Sequence, residues 1–330
     1  MNRYLTSSLV AALLLASVPA QSYFMPSDTP STGTCNTIPF GQTSTIYQTL
    51  AAPSDLGNSA ALRICDLAFA PCAGGNVHFG TIEITLAQST SSTLSTTFTA
   101  NLMQNAQVVL KATDYDWPVT ANVWNRLGFD TDYQYVAGNF PYLVVQIVAT
   151  GIVRTGGVSS YHRDGTHQRM YSNNWSGTPP ATGSYGVAGL KFELLVGSAD
   201  VSAYGVGCSG SAGIPTMSGL GDGKINGSFG VSVDNCPANA PVLHVFGLTR
   251  YEPRIDLAIL GAPSCYLYQP ISILTGGAAS PTGNYSWRTP IPNDTTLLCA
   301  RIYTQVSPAD AAANTWGRTT SNYVRLLVGQ

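Results

Sequence analysis

Charge is what this chain has least of. Only 10 % of its 330 residues are Asp, Glu, Lys or Arg, against roughly 25 % in an average soluble protein. A formal net charge of −2 provides no field to attract nucleic acid or an anionic membrane surface, so neither partner is expected. Histidine is scarce as well, with His78, His162, His167 and His244 making up the full set of 4. There is no Gly-x-Ser-x-Gly elbow and no His-Glu-x-x-His, and Gly223-Lys224 lacks the glycine five residues earlier that a phosphate-binding loop needs. Glu83, Glu193 and Glu252 are present, but a carboxylate pair for glycoside cleavage leaves no sequence signature. With so few acid and base groups, catalysis is not the expected role and no cofactor is assigned. Helical periodicity is also missing after the first twenty residues, which excludes a helical bundle.

The N-terminus does carry a pattern. Met1-Asn2-Arg3 has one positive charge, Tyr4 to Val18 is uncharged and mostly apolar, and Pro19-Ala20 follows. That is the layout of a secretory signal peptide over residues 1–20, with cleavage after Ala20. The apolar run is shorter than the roughly 20 residues that span a bilayer, so the processed chain is expected outside the cytoplasm with no membrane insertion. No cysteine follows closely enough for lipid attachment.

Ser and Thr make up about a fifth of the chain, with 33 Gly and 20 Pro, a mix that favours short strands and frequent turns. Residues 21–36 are polar and aperiodic and are expected to be a flexible leader. Beyond them, strand-like runs recur at Thr45–Leu50, Leu62–Phe69, Val77–Leu86, Ala106–Lys111, Tyr142–Val148 and Leu190–Val196. In Thr81–Leu86 the apolar residues Ile82, Ile84 and Leu86 fall at every second position, the signature of a half-buried strand. After Ser198-Ala199-Asp200 a second set begins: Phe229–Val233, Val242–Leu248, Cys265–Tyr268, Cys299–Val306 and Tyr323–Val328. Strands at this spacing without helices between them predict an all-β chain of two antiparallel β-sandwich domains in tandem. The first spans 37–198 and the smaller second spans 199–330.

Two resemblances add to this. Tyr204-Gly205-Val206-Gly207-Cys208, Ala240-Pro241-Val242-Leu243, Leu260-Gly261-Ala262-Pro263-Ser264-Cys265, Ile291-Pro292-Asn293-Asp294, Ile302-Tyr303-Thr304-Gln305 and Thr320-Ser321-Asn322-Tyr323 occur in that order. This segment resembles a C-terminal β domain of uncharacterised secreted proteins of environmental bacteria. The resemblance implies a fold and an extracellular address but carries no activity. Ile38-Pro39-Phe40, Tyr47-Gln48, Leu94–Phe98 with Asn101, Phe129, Gly138-Asn139 and Leu143–Ile147 are similar to the jelly-roll-like domain found in front of such tails. Phe140-Pro141-Tyr142 stands where that pattern has Gly-Asn-Leu, and Ser264 where it has glycine.

The 7 cysteines include no Cys-x-x-Cys pair, and in an oxidising compartment they are expected to pair, leaving one spare. Cys65 and Cys72 flank a short turn and are expected to bridge, with Cys35 left over; the competing assignment joins Cys35 to either. Cys208 and Cys265 are the positions the family resemblance carries, and their bridge would tie the entry of the second domain to its sheet. Cys236 and Cys299 would then form the third.

The densest polar cluster runs from Tyr161 to Trp175. His162, Asp164 and His167 are candidate metal ligands, and Tyr161, Arg163, Arg169, Tyr171 and Trp175 a candidate platform for planar or sugar rings. The plainer expectation is a solvated hairpin. Gly221–Asn226 is similar to part of a calcium loop, but Leu220 and Phe229 fall where oxygen ligands are needed, so a turn is expected. Asp114 with Asp116, and Asp130 with Asp132, are alternate-residue acid pairs that turns also produce. The function expected is that of a non-catalytic secreted or cell-surface protein with a structural, adhesive or assembly role. The alternative is a carbohydrate-binding module, motivated by 17 Tyr and 5 Trp; a surface polysaccharide or another extracellular protein is the partner class that remains.

Overall fold

A computed structural model describes residues 21–26, 29–157 and 159–330, with the side chains of Arg163, Asp164 and Thr166 outside that description. The signal peptide expected over residues 1–20 lies outside the described residues. The chain is all-β, and every strand pairing is antiparallel. Among the described residues no helix is long and apolar enough to cross a membrane.

Sheet I runs in the order Gln21–Met25, Phe192–Val196, Ala61–Phe69 and Asn125–Arg126, with Tyr133–Val136 also paired to Ala61–Phe69. Sheet II runs Val153–Thr155, Gly75–Ser89, Tyr142–Thr150, Ser44–Ala51, Ser160–Asn173 and Ser184–Leu190; Gln104–Val119 and Thr34–Asn36 pair alongside. Their facing side chains form one core. The alternation read from the sequence puts Ile82, Ile84 and Leu86 into it, opposite Ile64, Phe192 and Leu194. At its centre Phe40, Phe69, Phe79 and Trp117 meet at ring separations of 5.2 to 6.5 Å. Each buried ring of this kind contributes about 1.5–3 kcal/mol over its exposed state.

The second half holds sheet III, in the order Asp200–Tyr204, Tyr323–Leu327, Arg301–Pro308, Pro241–Gly247 and Ile273–Ala278. Sheet IV is Thr216–Gly221, Ser228–Asp234 and Tyr285–Pro290. Val231, Val233, Val242, Phe246, Val306 and Leu326 fill the space between them.

Three expectations are corrected here. Residues 21–36 are not a loose leader: Gln21–Met25 is an edge strand of sheet I, and Thr34–Asn36 pairs with Ser160–Asn173. The short alternation of Tyr23 and Met25, both buried, supplies the inward face that pins it. The run Leu190–Val196 is not one strand either. It breaks at Lys191, where the chain leaves sheet II for sheet I, and the buried Lys191 ammonium donates to Thr32 O and Thr32 Oγ1, both at 2.8 Å.

Cys208–Cys265 forms as expected, but the other two disulfides differ. The structure joins Cys208 to Cys265, Cys35 to Cys72, and Cys65 to Cys299, leaving Cys236 as a buried thiol. Cys65–Cys72 and Cys236–Cys299 are therefore not formed. Cys65 sits inside the extended Ala61–Phe69 strand, and at about 3.3 Å per residue the strand carries Cys72 far beyond the reach of a disulfide. Cys35 and Cys72 meet because both lie at the start of Ser160–Asn173: Cys35 is opposite Tyr161, and the Cys72 N–H donates to Ser159 O at 2.6 Å. Cys236 lies two residues past the Ser228–Asp234 strand of sheet IV and its N–H is held by Gly283 O at 2.9 Å, while Cys299 leads into sheet III at the side that meets the first sandwich.

Candidate functional site

The cluster from Tyr161 to Trp175 does not form a site. Apart from Trp175, its candidate residues lie on Ser160–Asn173, a strand inside sheet II rather than a solvated hairpin. The pairing passes from Asp164 to His167 through an irregularity, so that His162 opposite Leu190 and His167 opposite Ala188 share the inward face. His162 is fully buried with Nδ1 2.8 Å from Ser160 O, and His167 is buried with Nε2 2.9 Å from Thr49 Oγ1. Burial lowers the His167 pKa to about 4. These two histidines are built into the core; the Asp164 side chain lies outside the described residues. The platform is divided as well. Tyr171, opposite Tyr47, faces inward with Arg169, whose guanidinium lies 4.9 Å from the Tyr171 ring centre. Tyr161, opposite Cys35, is on the other face and donates to Asn122 Oδ1 at 2.7 Å. Trp175 lies past the strand end, where its carbonyl accepts from Ser44 Oγ at 2.6 Å. The Arg163 side chain is not among those described.

The residues read as a calcium-like loop form a turn. Asp222 Oδ1 accepts from the N–H groups of Lys224 at 3.2 Å and Ser228 at 3.1 Å, and those donors lower its pKa. Among the described residues no group of three or more His, Cys, Asp and Glu side chains is placed to hold a metal ion.

The principal polar constellation lies where the two sandwiches meet, and sequence reasoning did not find it. Asp66 of sheet I and Arg325 of sheet III are both fully buried and paired through Asp66 Oδ2 and Arg325 Nη2. The second Asp66 oxygen accepts from the N–H groups of Leu67, Gly128 and Phe129 at 2.8, 3.2 and 3.1 Å. Desolvation works against the charge on Arg325, but Asp66, Tyr204 and Asp200 together hold its pKa well above the ordinary arginine value. The Asp66 carboxylate is thus satisfied on both oxygens. On the arginine side Nη2 also donates to Asp200 Oδ2 at 3.2 Å, while Arg325 Nε and Nη1 are buried with no hydrogen-bond partner among the described residues and keep part of the desolvation cost of a buried pair.

Three more arginines of the second half reach into the first. Arg250 binds Asp130 with two nitrogens at 2.7 and 2.8 Å and Glu252 at 2.6 Å. Arg254 binds Asp114 at 2.6 Å and Asp116 at 2.9 Å while stacking 3.8 Å from the Tyr266 ring centre. Arg301 donates to Phe129 O and Cys65 O, both at 2.7 Å, beside the Cys65–Cys299 disulfide. Tyr115, Tyr204, Tyr323, Tyr268 and Tyr303 fill the space between with ring separations of 4.9 to 6.4 Å. Burial raises the pKa of Tyr115, Tyr204 and Tyr323 well above the usual phenol value. The acid pairs seen in the sequence are therefore arginine acceptors. A signal was present: Asp66 in Ile64–Phe69 and Arg325 in Tyr323–Leu327 each interrupt an apolar run, where a buried charge needs a partner.

The chemistry open to this junction is narrow. His78 stands with Nδ1 3.0 Å from Asp116 and Nε2 3.5 Å from Asp114, so both ring nitrogens face carboxylates and neither meets a nucleophile. His244 touches Thr304 Oγ1 at 2.6 Å and Tyr285 OH at 3.2 Å, a relay-like arrangement. Both His244 and Thr304 are fully buried, and Thr304 also donates to Val245 O at 3.0 Å, so no substrate reaches them. Cavities at the junction hold about 20 Å³ beside Tyr115, Arg254 and Tyr268, and about 100 Å³ beside Asp130, Glu252 and Tyr303. Those volumes admit water rather than the roughly 300–1,000 Å³ of a ligand pocket.

No protein-family model and no curated protein matches the chain. Among solved structures, the crystal structure of Bacteroides uniformis beta-glucuronidase aligns at 12 % identity over 92 % of this chain and 31 % of its own, with a TM-score of 0.16. The chain thus spans about a third of that protein's length, and so low a score carries no argument about fold or function.

Proposed function

We propose that this is an exported, non-catalytic β protein with a structural, adhesive or assembly role outside the cytoplasm. The observation that carries the reading is the use of its few charges: Asp66, Asp114, Asp116, Asp130 and Glu252 are all occupied by arginines that bind one sandwich to the other. Groups held in this way support a rigid two-part body rather than acid–base turnover. Three disulfides support an oxidising compartment. The carbohydrate-binding reading asks for several exposed rings in one plane, and Tyr185, 43 % exposed, is the single exposed aromatic ring among the described residues.

The test is fractionation of the producing cell, followed by cross-linking of the intact surface. Mature chain beginning near Gln21, outside the cytoplasm and cross-linked to surface material, is the expected result. Retention in the cytoplasm, or steady turnover of a small substrate by the purified chain, contradicts the proposal; binding to a glycan array would revive the alternative.

A further inference from the structure

Several edge strands carry no charged residue, among them Gln21–Met25, Ser184–Leu190, Thr216–Gly221 and Ile273–Ala278, and the last is the most exposed along its length. Ile273–Ala278 closes sheet III, paired on one side with Pro241–Gly247, and among the described residues no strand lies on its other side. The Ala279 N–H donates inward to Ala240 O at 2.9 Å. Antiparallel ladders alternate, so residues 277, 275 and 273 also turn their backbone groups toward the neighbouring strand. Leu274, Gly276 and Ala278 turn theirs outward, to the open edge.

Free edges are normally protected by charge, proline, a bulge or a covering loop. None of the first three is present. The register is regular, with no irregularity along the pairing, and the strand contains no proline. Between Asp256 and Arg288 the chain carries no Asp, Glu, Lys or Arg. Ile271, Ile273 and Leu274 are 56, 60 and 53 % exposed beside it.

The sequence of the strand, Ile-Leu-Thr-Gly-Gly-Ala, is bulky in its first half and small in its second. Under a two-fold axis an antiparallel copy places each half opposite the other: Leu274 of one copy faces Ala278 of the other, Thr275 faces Gly277, and Gly276 faces itself. Large meets small along the whole edge, and no like charges oppose one another. We infer that Ile273–Ala278 is the seat of self-association, in which two copies of this chain join their sheets III edge to edge through an antiparallel pair centred on Gly276. An interface of this kind is isologous and closes as a dimer. The inference deepens the assembly role proposed above and rests on it.

Sedimentation velocity of the mature, oxidised chain over a range of concentrations tests it. A monomer–dimer equilibrium is expected, and Gly276→Lys should weaken the dimer about tenfold or more by setting two ammonium groups opposite each other. A side chain at Gly276 meets only Val242 O at 3.9 Å and the backbone there has no positive φ, so the variant should melt like the parent. Leu274→Lys, at an exposed position, is the second variant and should act the same way. A chain that is monomeric at every concentration overturns the inference, even if it still cross-links to surface material, and so does a Gly276→Lys dimer as tight as the parent's.

Discussion

Asp66 and Arg325 set the character of this protein at the scale of single residues. Each is a fully buried charge in a mostly apolar strand, and the two are tolerable because each half of the chain supplies the other's partner. Removing one side leaves a buried charge uncompensated, which costs about 3–5 kcal/mol. Asp66→Ala and Arg325→Met should each lower the denaturant midpoint accordingly, and the double variant should lose less than the sum of the two. Additive losses would mean that the two side chains do not act together.

The histidines make a second prediction at this scale. His167 and His244 are held neutral by burial, which lowers the pKa of each to about 4, against about 6.5 for a free histidine. The unfolded chain therefore binds protons that the folded chain refuses. Stability from these groups is complete above about pH 6.5, falls as the pH drops toward 4, and levels off below that, by about 3 kcal/mol per histidine at most. Urea unfolding at pH 7.5, 5.5 and 4 should show the midpoint falling through this window, and His167→Gln should flatten part of the slope. A midpoint constant from pH 7.5 to 4 would contradict the burial of both rings.

At the scale of elements, the strands were legible because a period of two needs only neighbouring residues to be seen. Thr81–Leu86, Leu62–Phe69 and Tyr142–Val148 all fall within observed strands. Gln21–Met25 was missed because two inward residues in five make too short a pattern, and Lys191 because a corner between sheets looks like a continuous run. If the first strand holds as described, Met25→Ala should destabilise the protein by about 2–5 kcal/mol, since a fully buried methionine leaves a cavity. An unchanged urea midpoint would restore residues 21–36 to the status of a leader. Cys208–Cys265 was legible through the family resemblance, but the partner of Cys65 was not, for a related reason: Cys65 and Cys299 are 234 residues apart, and nothing local in the sequence brings them together.

At the scale of the whole molecule, the chain is two sandwiches built as one body. Asp66–Arg325, Asp130–Arg250, Asp114 and Asp116 with Arg254, the five tyrosines and Cys65–Cys299 all cross from residues before 200 to residues after it. Asp66 and Arg325 stood out as charges within apolar runs, but which residues they meet could not be read along the sequence because the members of the junction come from separate strands. Closing a loop of this length removes about 5 kcal/mol of chain entropy from the unfolded state. Cys299→Ser should lower stability by an amount of that order, with Arg301 still able to reach Cys65 O and Phe129 O. A loss well below 1 kcal/mol would show that the disulfide merely decorates contacts made without it.

The claim that the two sandwiches form a single unit has one direct test, differential scanning calorimetry of the mature, oxidised chain. A body joined through a buried ion pair, a shared tyrosine core and a disulfide should melt in one cooperative transition, with calorimetric and van't Hoff enthalpies in agreement. Two resolved transitions, one for residues before 200 and one for those after, would contradict it.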